Sequence, residues 1–376
     1  MSAPFTSVRP EILDFTPYAP GLSIDEIRER YGLPQVIKLA SNENPLGASP
    51  AVQKAIQKNA GLAFRYPQSG NPRLRKIIAA HHRVPTDMVA VGNGSDEIID
   101  LLIRIRAIPG THNVVTCQPC FSIYSLQTRL AGVELRQVPV RGDFSFDFDG
   151  LIKAMDANTV LVFLSTPDNP SGYCPARSEV MAFAKRLPEN ALLILDEAYM
   201  DFVDVEEEHA MIPFMAECPN VAVIRTFSKS FGLAGMRVGY GVLPVELADY
   251  LLRVRLPFSV NILAEEAAIA ALSDSAFRRE VLRAVAEGRN YLTNALKELA
   301  CVPLPSQANF ITFSLPPDSG YTAQNVFEAL LTRGVIIRPL RSYGLNDHLR
   351  VSVGSAMENK VFITALSQLL SQNHRG

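Results

Sequence analysis

One repeated unit constrains the fold of this chain most: a continuous apolar run that ends in a polar turn containing glycine, proline or asparagine. It occurs at residues 88–91 before GNGS, in TVLVFLS before TPDNPSG, in ALLIL before DEAY, and in NVAVI before RTFSK. Continuous apolar strands are typical of parallel sheets that are covered on both faces. Because helical segments separate these runs, the pattern predicts an α/β fold with a mostly parallel central sheet flanked by helices.

The length of the chain predicts two domains, because a single core rarely keeps growing to 376 residues. After Pro244 the pattern changes to long helices and short alternating strands, and the helix in SAFRREVLRAVAEGRNYLTNALKELA is long enough to join two lobes. We predict a large cofactor-binding domain over residues 45–272 and a smaller α+β domain over residues 273–376. Residues 1–44 are expected to form an N-terminal arm and part of the small domain.

Charge and cysteine content exclude several classes of function. The net charge of −2 argues against binding nucleic acid or membrane surfaces through bulk charge, and no apolar run reaches the ~18 residues of a membrane span. The N-terminus lacks an export signal pattern, so we expect a cytoplasmic protein. Cys117 and Cys120 form a C-x-x-C pair, but no second pair is spaced to complete a zinc site. We expect no metal, and we interpret this pair as core packing.

Polar clusters follow four of the apolar runs, and ligands of open α/β sheets bind at the carboxyl ends of strands. These clusters are Gly94-Ser95-Asp96, Asn169-Pro170, Asp196-Glu197-Ala198-Tyr199, and Thr226 to Lys229. The first is a strand, a glycine turn and a helix start, which suits an anion but also fits an ordinary turn. In the last, hydroxyl residues precede a lysine, and an arginine, Arg237, follows eight positions after it.

Together these residue types meet the needs of pyridoxal 5'-phosphate. This cofactor requires a lysine for its aldehyde, an acid at its pyridine nitrogen, donors for its phosphate and an aromatic face over its ring. Lys229 supplies the amine and Asp196 the acid, and a protonated ring nitrogen would compensate a carboxylate that ends a buried strand. Asn169 and Tyr199 can hydrogen-bond the phenolic oxygen, and Phe121 can stack on the ring.

The ordered motif set resembles the fold-type I, aspartate-aminotransferase-like enzymes, and within them the histidinol-phosphate aminotransferases. The resemblance covers nearly the whole chain through PYAPG, KLASNENPLG, RYP, GNGSDE, NP-x-G, DEAY, TFSK-x7-R, RP at 338–339 and LRVSVG. It implies a homodimer that depends on pyridoxal phosphate. The implied reaction, a step of histidine biosynthesis, interconverts histidinol phosphate and 2-oxoglutarate with imidazole-acetol phosphate and glutamate.

The resemblance also implies a role for each matching residue. Lys229 is implied to form the Schiff base and to act as general base, with Asp196 and Tyr199 as its catalytic partners. The residues implied to hold the cofactor are Ser95, Asp96, Phe121, Asn169, Asp196, Tyr199, Thr226, Ser228, Lys229 and Arg237, together with Tyr66 reaching in from the neighbouring subunit. Those implied to contact the substrate are Tyr18 and Arg338 at its far end, Arg350 at its α-carboxylate, and Asn42 beside Asn44 on the loop at the entrance.

The chain departs from the family pattern at three positions: Asp168 and Ser171 replace the first asparagine and the threonine of PNNPTG, and Cys120 replaces a threonine. These departures leave the substrate range open. Arg338 and Arg350 would also look the same if they were solvated charges on the small domain. A threonine-phosphate decarboxylase and an aromatic amino-acid aminotransferase remain alternatives with the same cofactor. A non-catalytic binding module is the alternative outside enzymes; such a module usually carries an attached DNA-binding segment, which we do not expect here.

Overall fold

The computed structural model of the protein describes residues 8–13, 15–17 and 21–372. Its strands are β1 (Ile37–Lys38), β2 (Val89–Gly92), β3 (Asn113–Gln118), β4 (Glu134–Pro139), β5 (Thr159–Ser165), β6 (Leu192–Asp196), β7 (Val221–Thr226), β8 (Gly239–Val242), β9 (Val302–Pro303), β10 (Phe310–Ser314), β11 (Val335–Ile336), β12 (Arg338–Pro339) and β13 (His348–Ser352). Its helices are α1 (Pro10–Leu13), α2 (Ile24–Tyr31), α3 (Pro50–Asn59), α4 (Pro72–His82), α5 (Gly94–Arg106), α6 (Ser122–Leu130), α7 (Phe148–Ala154), α8 (Arg177–Ala184), α9 (Glu206–His209), α10 (Val245–Val254), α11 (Ile262–Ser273), α12 (Ser275–Glu298), α13 (Ala323–Leu331) and α14 (Ala356–Gln372).

The larger sheet has the strand order β2-β8-β7-β6-β5-β3-β4 within the described residues. Pairs among β3 to β7 are parallel, whereas β8 runs antiparallel to both β7 and β2. The connection from β7 to β8 contains only a 3-10 turn, and such a connection can reverse direction without the helical crossover that parallel strands need. The predicted mostly parallel sheet is therefore confirmed, and β8 is its antiparallel member.

Helices cover both faces of this sheet. One core cluster joins the sheet to α3, α4, α7, α8 and α11, and a second joins it to α5, α6 and α10. Neighbouring residues of β3 point to opposite faces, so Val115 packs in the first cluster and Val114 in the second. Cys117 lies in the first cluster and Cys120 in the second, both buried, which agrees with the predicted packing role.

The smaller sheet is antiparallel, in the order β12-β13-β10-β9 among the described strands. Helices α12, α13 and α14 pack on it around a third core cluster that contains Phe313 and Phe362. The short strand β1 pairs in parallel with β11, so a segment near the N-terminus belongs structurally to this part of the molecule. A small α+β domain over residues 273–376 was predicted; its strands form an antiparallel sheet, and its bounds stay a prediction.

Helix starts follow local sequence signals. Ser23 and Ser49 each cap a helix by accepting a hydrogen bond from a backbone N–H three residues on, and Pro50 takes the first position of α3. The spacing of Ser23 and Glu26 also predicts a reciprocal capping box, but this prediction is wrong. The Glu26 carboxylate accepts instead from Arg30, one turn later, because a charge-assisted bond is the stronger partner. Across the described residues, no helix is both long and apolar enough to cross a bilayer.

Candidate active site

A cavity of about 190 Å³ opens at the carboxyl ends of the parallel strands, far larger than the ~10–15 Å³ that one water requires. The strand ends adjoin in register, with Ser165 of β5 beside Asp196 of β6 and Asp196 beside Ile224 of β7. The cavity can therefore hold a small molecule at the sheet edge. The predicted site residues that line it are Asn42, Ser95, Asp96, Phe121, Asn169, Asp196, Tyr199, Thr226, Ser228, Lys229, Arg237, Arg338 and Arg350.

The Lys229 amine lies in this cavity, between the N-terminal segment and the end of β7. Its Nζ donates a hydrogen bond to the Ser41 carbonyl oxygen at 3.2 Å and lies 5.6 Å from the centre of the Tyr199 ring. The Thr226 hydroxyl donates to Ser228 Oγ at 3.0 Å and accepts from the Ser228 N–H at 3.1 Å. The amine therefore stands beside a short turn that carries two hydroxyl groups.

The start of α5 provides an anion-binding corner. The first backbone N–H groups of a helix lack partners within the helix, so they attract anions. Arg237, with a left-handed φ of 52°, places Nη2 at 3.3 Å from Asp96 Oδ2. A Cβ on Gly239 would lie 2.5 Å from the Ser95 nitrogen, so only glycine lets β8 approach the helix start this closely. The corner thus combines backbone donors, hydroxyl groups and a guanidinium.

Asp196 ends β6 in a fully buried position. Oδ2 accepts a hydrogen bond from Tyr124 Oη at 2.7 Å, and Oδ1 accepts from the Ala198 N–H at 3.1 Å. Burial raises the pKa of this carboxyl to about 6, although the Tyr124 bond and the charge of Lys229 oppose the rise. A cation that bonded the carboxylate from the cavity would favour its ionised form.

Tyr124 is a site residue that the sequence interpretation missed. It lies three residues after Phe121, and its ring stacks on Phe163 with centroids 5.0 Å apart. Residues at a spacing of three share one face of a helix. That spacing from Phe121 was the available signal. The spacing does not reveal the acceptor, Asp196, because it comes from a different strand.

Arg350 is part of β13 in the smaller sheet, and it lines the cavity. It is 5% exposed, and its guanidinium donates to Asn169 Oδ1 and, at 3.1 Å, to the Ala40 carbonyl oxygen. Its Nε is buried without a hydrogen-bond partner among the described residues. The neighbouring Leu349 and Val351 point the other way into the third core cluster. Arg350 is therefore a buried cation at the cavity and not a solvated surface charge.

Asn42 and Tyr199 form a buried pair within the cavity. Asn42 Nδ2 donates to Tyr199 Oη at 3.0 Å, and Ser352 fixes the asparagine by bonding both its backbone N–H and its Oδ1. Burial raises the pKa of Tyr199, while the charge of Arg350 and the Asn42 bond work against this rise. Asn44, two residues further along the same loop, is partly buried, and its Nδ2 donates to the Ser230 carbonyl oxygen at 2.8 Å.

Of the two remaining predicted residues, Tyr66 does not line the cavity. Tyr66 is 81% exposed and stacks on Phe258 with ring centroids 4.8 Å apart. Tyr18 lies outside the described residues. Ser41, Ser165 and Tyr343 also line the cavity, although no sequence pattern singled them out.

Two of the three departures from the family pattern, Asp168 and Ser171, bond each other. Asp168 Oδ2 accepts hydrogen bonds from both the Ser171 N–H, at 3.0 Å, and the Ser171 hydroxyl, at 2.6 Å. Asp168 is buried, and its pKa is raised to about 6 despite these bonds. The two substitutions thus compensate each other within the turn that presents Asn169.

The site fits pyridoxal phosphate on its own geometry. A buried acid, an anion corner and a lysine amine all line the same cavity. The buried Arg350 adds a place for a carboxylate. Within the described residues, no group of histidine, cysteine or acidic side chains is arranged to hold a metal ion.

Comparison with known proteins identifies the family. The family described as "Aminotransferase class I and II" matches residues 34–366. The chain belongs to this aminotransferase family. A protein named histidinol-phosphate aminotransferase from Nitratidesulfovibrio vulgaris is 60% identical over 374 residues, covering 98% of this chain and 99% of the relative.

Solved structures of similar proteins show the same fold as this chain. The crystal structure of histidinol-phosphate aminotransferase from Sinorhizobium meliloti, in complex with pyridoxal 5'-phosphate, has a TM-score of 0.88 and 29% identity and covers 99% of both chains. An L-threonine-O-3-phosphate decarboxylase from Porphyromonas gingivalis has a TM-score of 0.78 at 23% identity, covering 89% of this chain and all of the other. The second likeness concerns the fold alone. The predicted fold class, a fold-type I transferase with a mostly parallel central sheet, is confirmed.

Proposed function

We propose that this aminotransferase interconverts histidinol phosphate and 2-oxoglutarate with imidazole-acetol phosphate and glutamate, using pyridoxal phosphate. The observation that carries the proposal is the presence of Lys229, Asp196 and Arg350 around one cavity. The relative with 60% identity over nearly the whole chain supports the choice of substrate. Histidine biosynthesis is the corresponding pathway.

The cofactor would be held by its two polar ends. Its phosphate would bind at the start of α5 and at the Thr226 and Ser228 hydroxyls, with Arg237 adding a permanent charge. Asp196 would bond the ring nitrogen, and Phe121 would lie against the ring face. Bound in this way, pyridoxal phosphate supplies an aldehyde for the amine and an electron sink for the substrate's α-carbon.

Lys229 would perform the proton work of the reaction. With a substrate amine bound at the cofactor, its Nζ would be free to take the substrate's α-proton and to return a proton. The Ser41 carbonyl and the Tyr199 ring bound the space in which this amine moves. Tyr199 and Asn169 would orient the ring through its phenolic oxygen.

Arg350 would bind the carboxylate of glutamate or 2-oxoglutarate. Its buried guanidinium already bonds neutral acceptors, so a carboxylate would add the charge compensation that the position lacks. Arg338 lies opposite Arg350 across the β12–β13 pair and would contact the far, phosphorylated end of the other substrate. Tyr18 is proposed to act at the same end.

A homodimer is proposed as the active form, with Tyr66 serving the neighbouring subunit's site. Large apolar side chains are exposed around Tyr66 on the single chain: Leu62, Phe64, Leu256 and Phe258. Such a patch on a monomer marks an interaction surface. A cytoplasmic location is also proposed, because all five cysteines are free and four of them are buried.

The domain boundaries at residues 45 and 273 also remain a proposal. The pairing of β1 with β11 supports assigning part of residues 1–44 to the small domain.

The test is a substrate panel on purified protein loaded with pyridoxal phosphate. We expect glutamate formation from histidinol phosphate and 2-oxoglutarate, a visible absorbance band of the bound cofactor, and loss of that band in Lys229→Ala. Borohydride reduction followed by peptide mass mapping should locate the cofactor on Lys229. Absence of the band in the wild-type protein would overturn the cofactor assignment.

The same panel separates the alternatives. Carbon dioxide release from threonine phosphate without transamination of histidinol phosphate would favour a threonine-phosphate decarboxylase. Preference for aromatic amino acids would favour an aromatic amino-acid aminotransferase. Cofactor binding without turnover of any substrate would indicate a binding module. The fold does not discriminate between a histidinol-phosphate aminotransferase and a threonine-phosphate decarboxylase, since proteins of both names share it.

A further inference from the structure

A buried ionic cluster lies directly behind the turn that carries Lys229. Asp201 is at its centre: Oδ1 accepts from Arg278 Nη2 at 2.7 Å and lies 3.6 Å from Arg225 Nη1. Oδ2 accepts a short hydrogen bond from the hydroxyl of Ser230, the residue that follows the lysine. Ser230 is 2% exposed, so water does not compete for this bond. Asp201 thus contacts the lysine turn directly.

Neighbouring bonds make this turn rigid. Asn44 Nδ2 holds the Ser230 carbonyl oxygen at 2.8 Å, and the Gly232 N–H donates to the Lys229 carbonyl oxygen at 3.0 Å. A Cβ on Gly232 would lie 2.1 Å from the Gly47 carbonyl oxygen, so the NENPLG loop packs closely against the turn. The bond to Asp201 holds the serine side chain, while the others hold the backbone.

Asp201 is an ionised acceptor in this setting. Burial opposes its ionisation, but Arg278 and Arg225 together hold its pKa below its ordinary value. Arg225 in turn bonds Glu197 at 2.7 Å and Glu206 at 3.1 Å, so each charge in the cluster has an opposite neighbour. A carboxylate fixed by two arginines has little freedom to move away from the Ser230 hydroxyl.

We propose that Asp201 is a positioning residue, which acts through Ser230 to fix the backbone that aims Lys229 Nζ into the cavity. This role for Lys229 rests on the proposed function. Neither Ser230 nor Asp201 lines the cavity, and Ser230 lines a separate small pocket with Phe231, Phe277 and Arg278. Asp201 therefore influences the reacting amine without touching the cofactor site.

The chain offers a matched control three residues later. Asp204 lies in the same connection and also pairs with an arginine of α12, accepting from Arg289 at 2.5 Å and from Gln307 at 3.1 Å. None of its hydrogen bonds in the described structure involves the lysine turn. The kcat of Asp204→Asn should therefore show the effect of weakening a bond to α12 while the lysine turn keeps its own contacts.

The experiment compares Asp201→Asn, Ser230→Ala, the double variant and Asp204→Asn with the wild-type holoenzyme. We expect kcat to fall about tenfold or more in both single variants at Asp201 and Ser230, with KM within about twofold, because small misplacements of a reacting group are costly. The double variant should be no slower than the more impaired single variant, since both substitutions break one connection. Asp204→Asn should retain wild-type kcat.

A second readout requires no turnover. In the cofactor-free protein, competitive labelling with acetic anhydride and peptide mass spectrometry give the reactivity of Lys229 relative to the other lysines. We expect Asp201→Asn and Ser230→Ala to change this ratio at least threefold and Asp204→Asn to leave it unchanged. If Asp201→Asn does not fold, Ser230→Ala, which removes a single hydroxyl, provides the test alone.

The proposal would be overturned if Ser230→Ala kept wild-type kcat and wild-type labelling of Lys229. It would also be overturned if Asp204→Asn changed kcat and labelling as much as Asp201→Asn does. A wild-type protein that fails to bind the cofactor would refute the proposed function instead. The labelling result would still decide whether Asp201 positions the lysine.

Discussion

Replacing Asp196 with asparagine is expected to stabilise the cofactor-free protein at neutral pH while destroying its function. The carboxyl is 3% exposed and holds hydrogen bonds from Tyr124 and the Ala198 backbone. Burial raises its pKa from 3.8 to about 6. Without a bound cofactor to pair with this carboxylate, the folded protein must therefore ionise a group that resists ionisation at pH 7.

The size of the effect follows from this pKa difference. A change from 3.8 to about 6, at ~1.4 kcal/mol for each pH unit, amounts to about 3 kcal/mol. Because the folded state binds the proton more tightly, this stabilisation is fully present below pH 3.8 and is lost as the pH rises through about 6. Roughly half of it is lost between pH 5 and pH 8. Asparagine does not titrate, so Asp196→Asn does not lose this stabilisation as the pH rises. Its net gain over wild type is smaller by about 1 kcal/mol, because the amide makes an imperfect hydrogen bond.

The assay is urea unfolding of the cofactor-free wild type and variant at pH 5 and pH 8, at one protein concentration so that association does not differ. Asp168→Asn is the matched control, since Asp168 is also buried with a pKa raised to about 6 but does not line the cavity. Both variants should gain stability relative to wild type as the pH rises. Only Asp196→Asn should lose cofactor binding and turnover. An equal pH dependence of stability in wild type and Asp196→Asn would refute the assignment of a strained buried carboxyl.

Further predictions concern the cavity walls. Arg350→Ala should lower kcat/KM about a hundredfold or more through loss of charge-assisted bonds to the substrate carboxylate, with the cofactor band intact; a weakened band in cofactor titration would contradict this separation. Tyr124→Phe removes a bond that favours ionised Asp196, so the cofactor Kd should rise about tenfold in an absorbance titration, and an unchanged Kd would argue against that bond. Gly239→Ala should destabilise the protein by about 1–3 kcal/mol in urea and weaken cofactor binding, because its Cβ would meet the Ser95 nitrogen; wild-type behaviour would show that β8 can move away.

The sequence predicted that most of the candidate residues lie together, and they line one cavity for a simple physical reason. Parallel strands bring their carboxyl ends to one edge, so clusters after successive apolar runs, such as those at Asn169 and Asp196, must be neighbours. Arg350 could be assigned to the opposite face from Leu349 and Val351 because strand residues alternate.

Other features depend on contacts that no local pattern encodes. The bond from Tyr124 to Asp196 joins α6 to β6, and the reversal of β8 depends on packing of the segment before Gly239 against α5. The mutual bonds of Asp168 and Ser171 show that two departures from a family motif can act as one change. Tyr66 is exposed on the surface of the single chain, so its proposed role requires the neighbouring subunit of a dimer.

The pairing of β1 with β11 sets an order of events during synthesis. Ile37 pairs with Val335, so a ribosome must add about 300 further residues before the partner strand exists. At ~5–20 residues per second, that interval is roughly 15–60 s. The larger sheet, whose strands all lie between residues 89 and 242, can assemble within it. We expect limited proteolysis of stalled nascent chains to cut near residue 37 until β11 has emerged, whereas early protection there would mean that the segment finds another partner first.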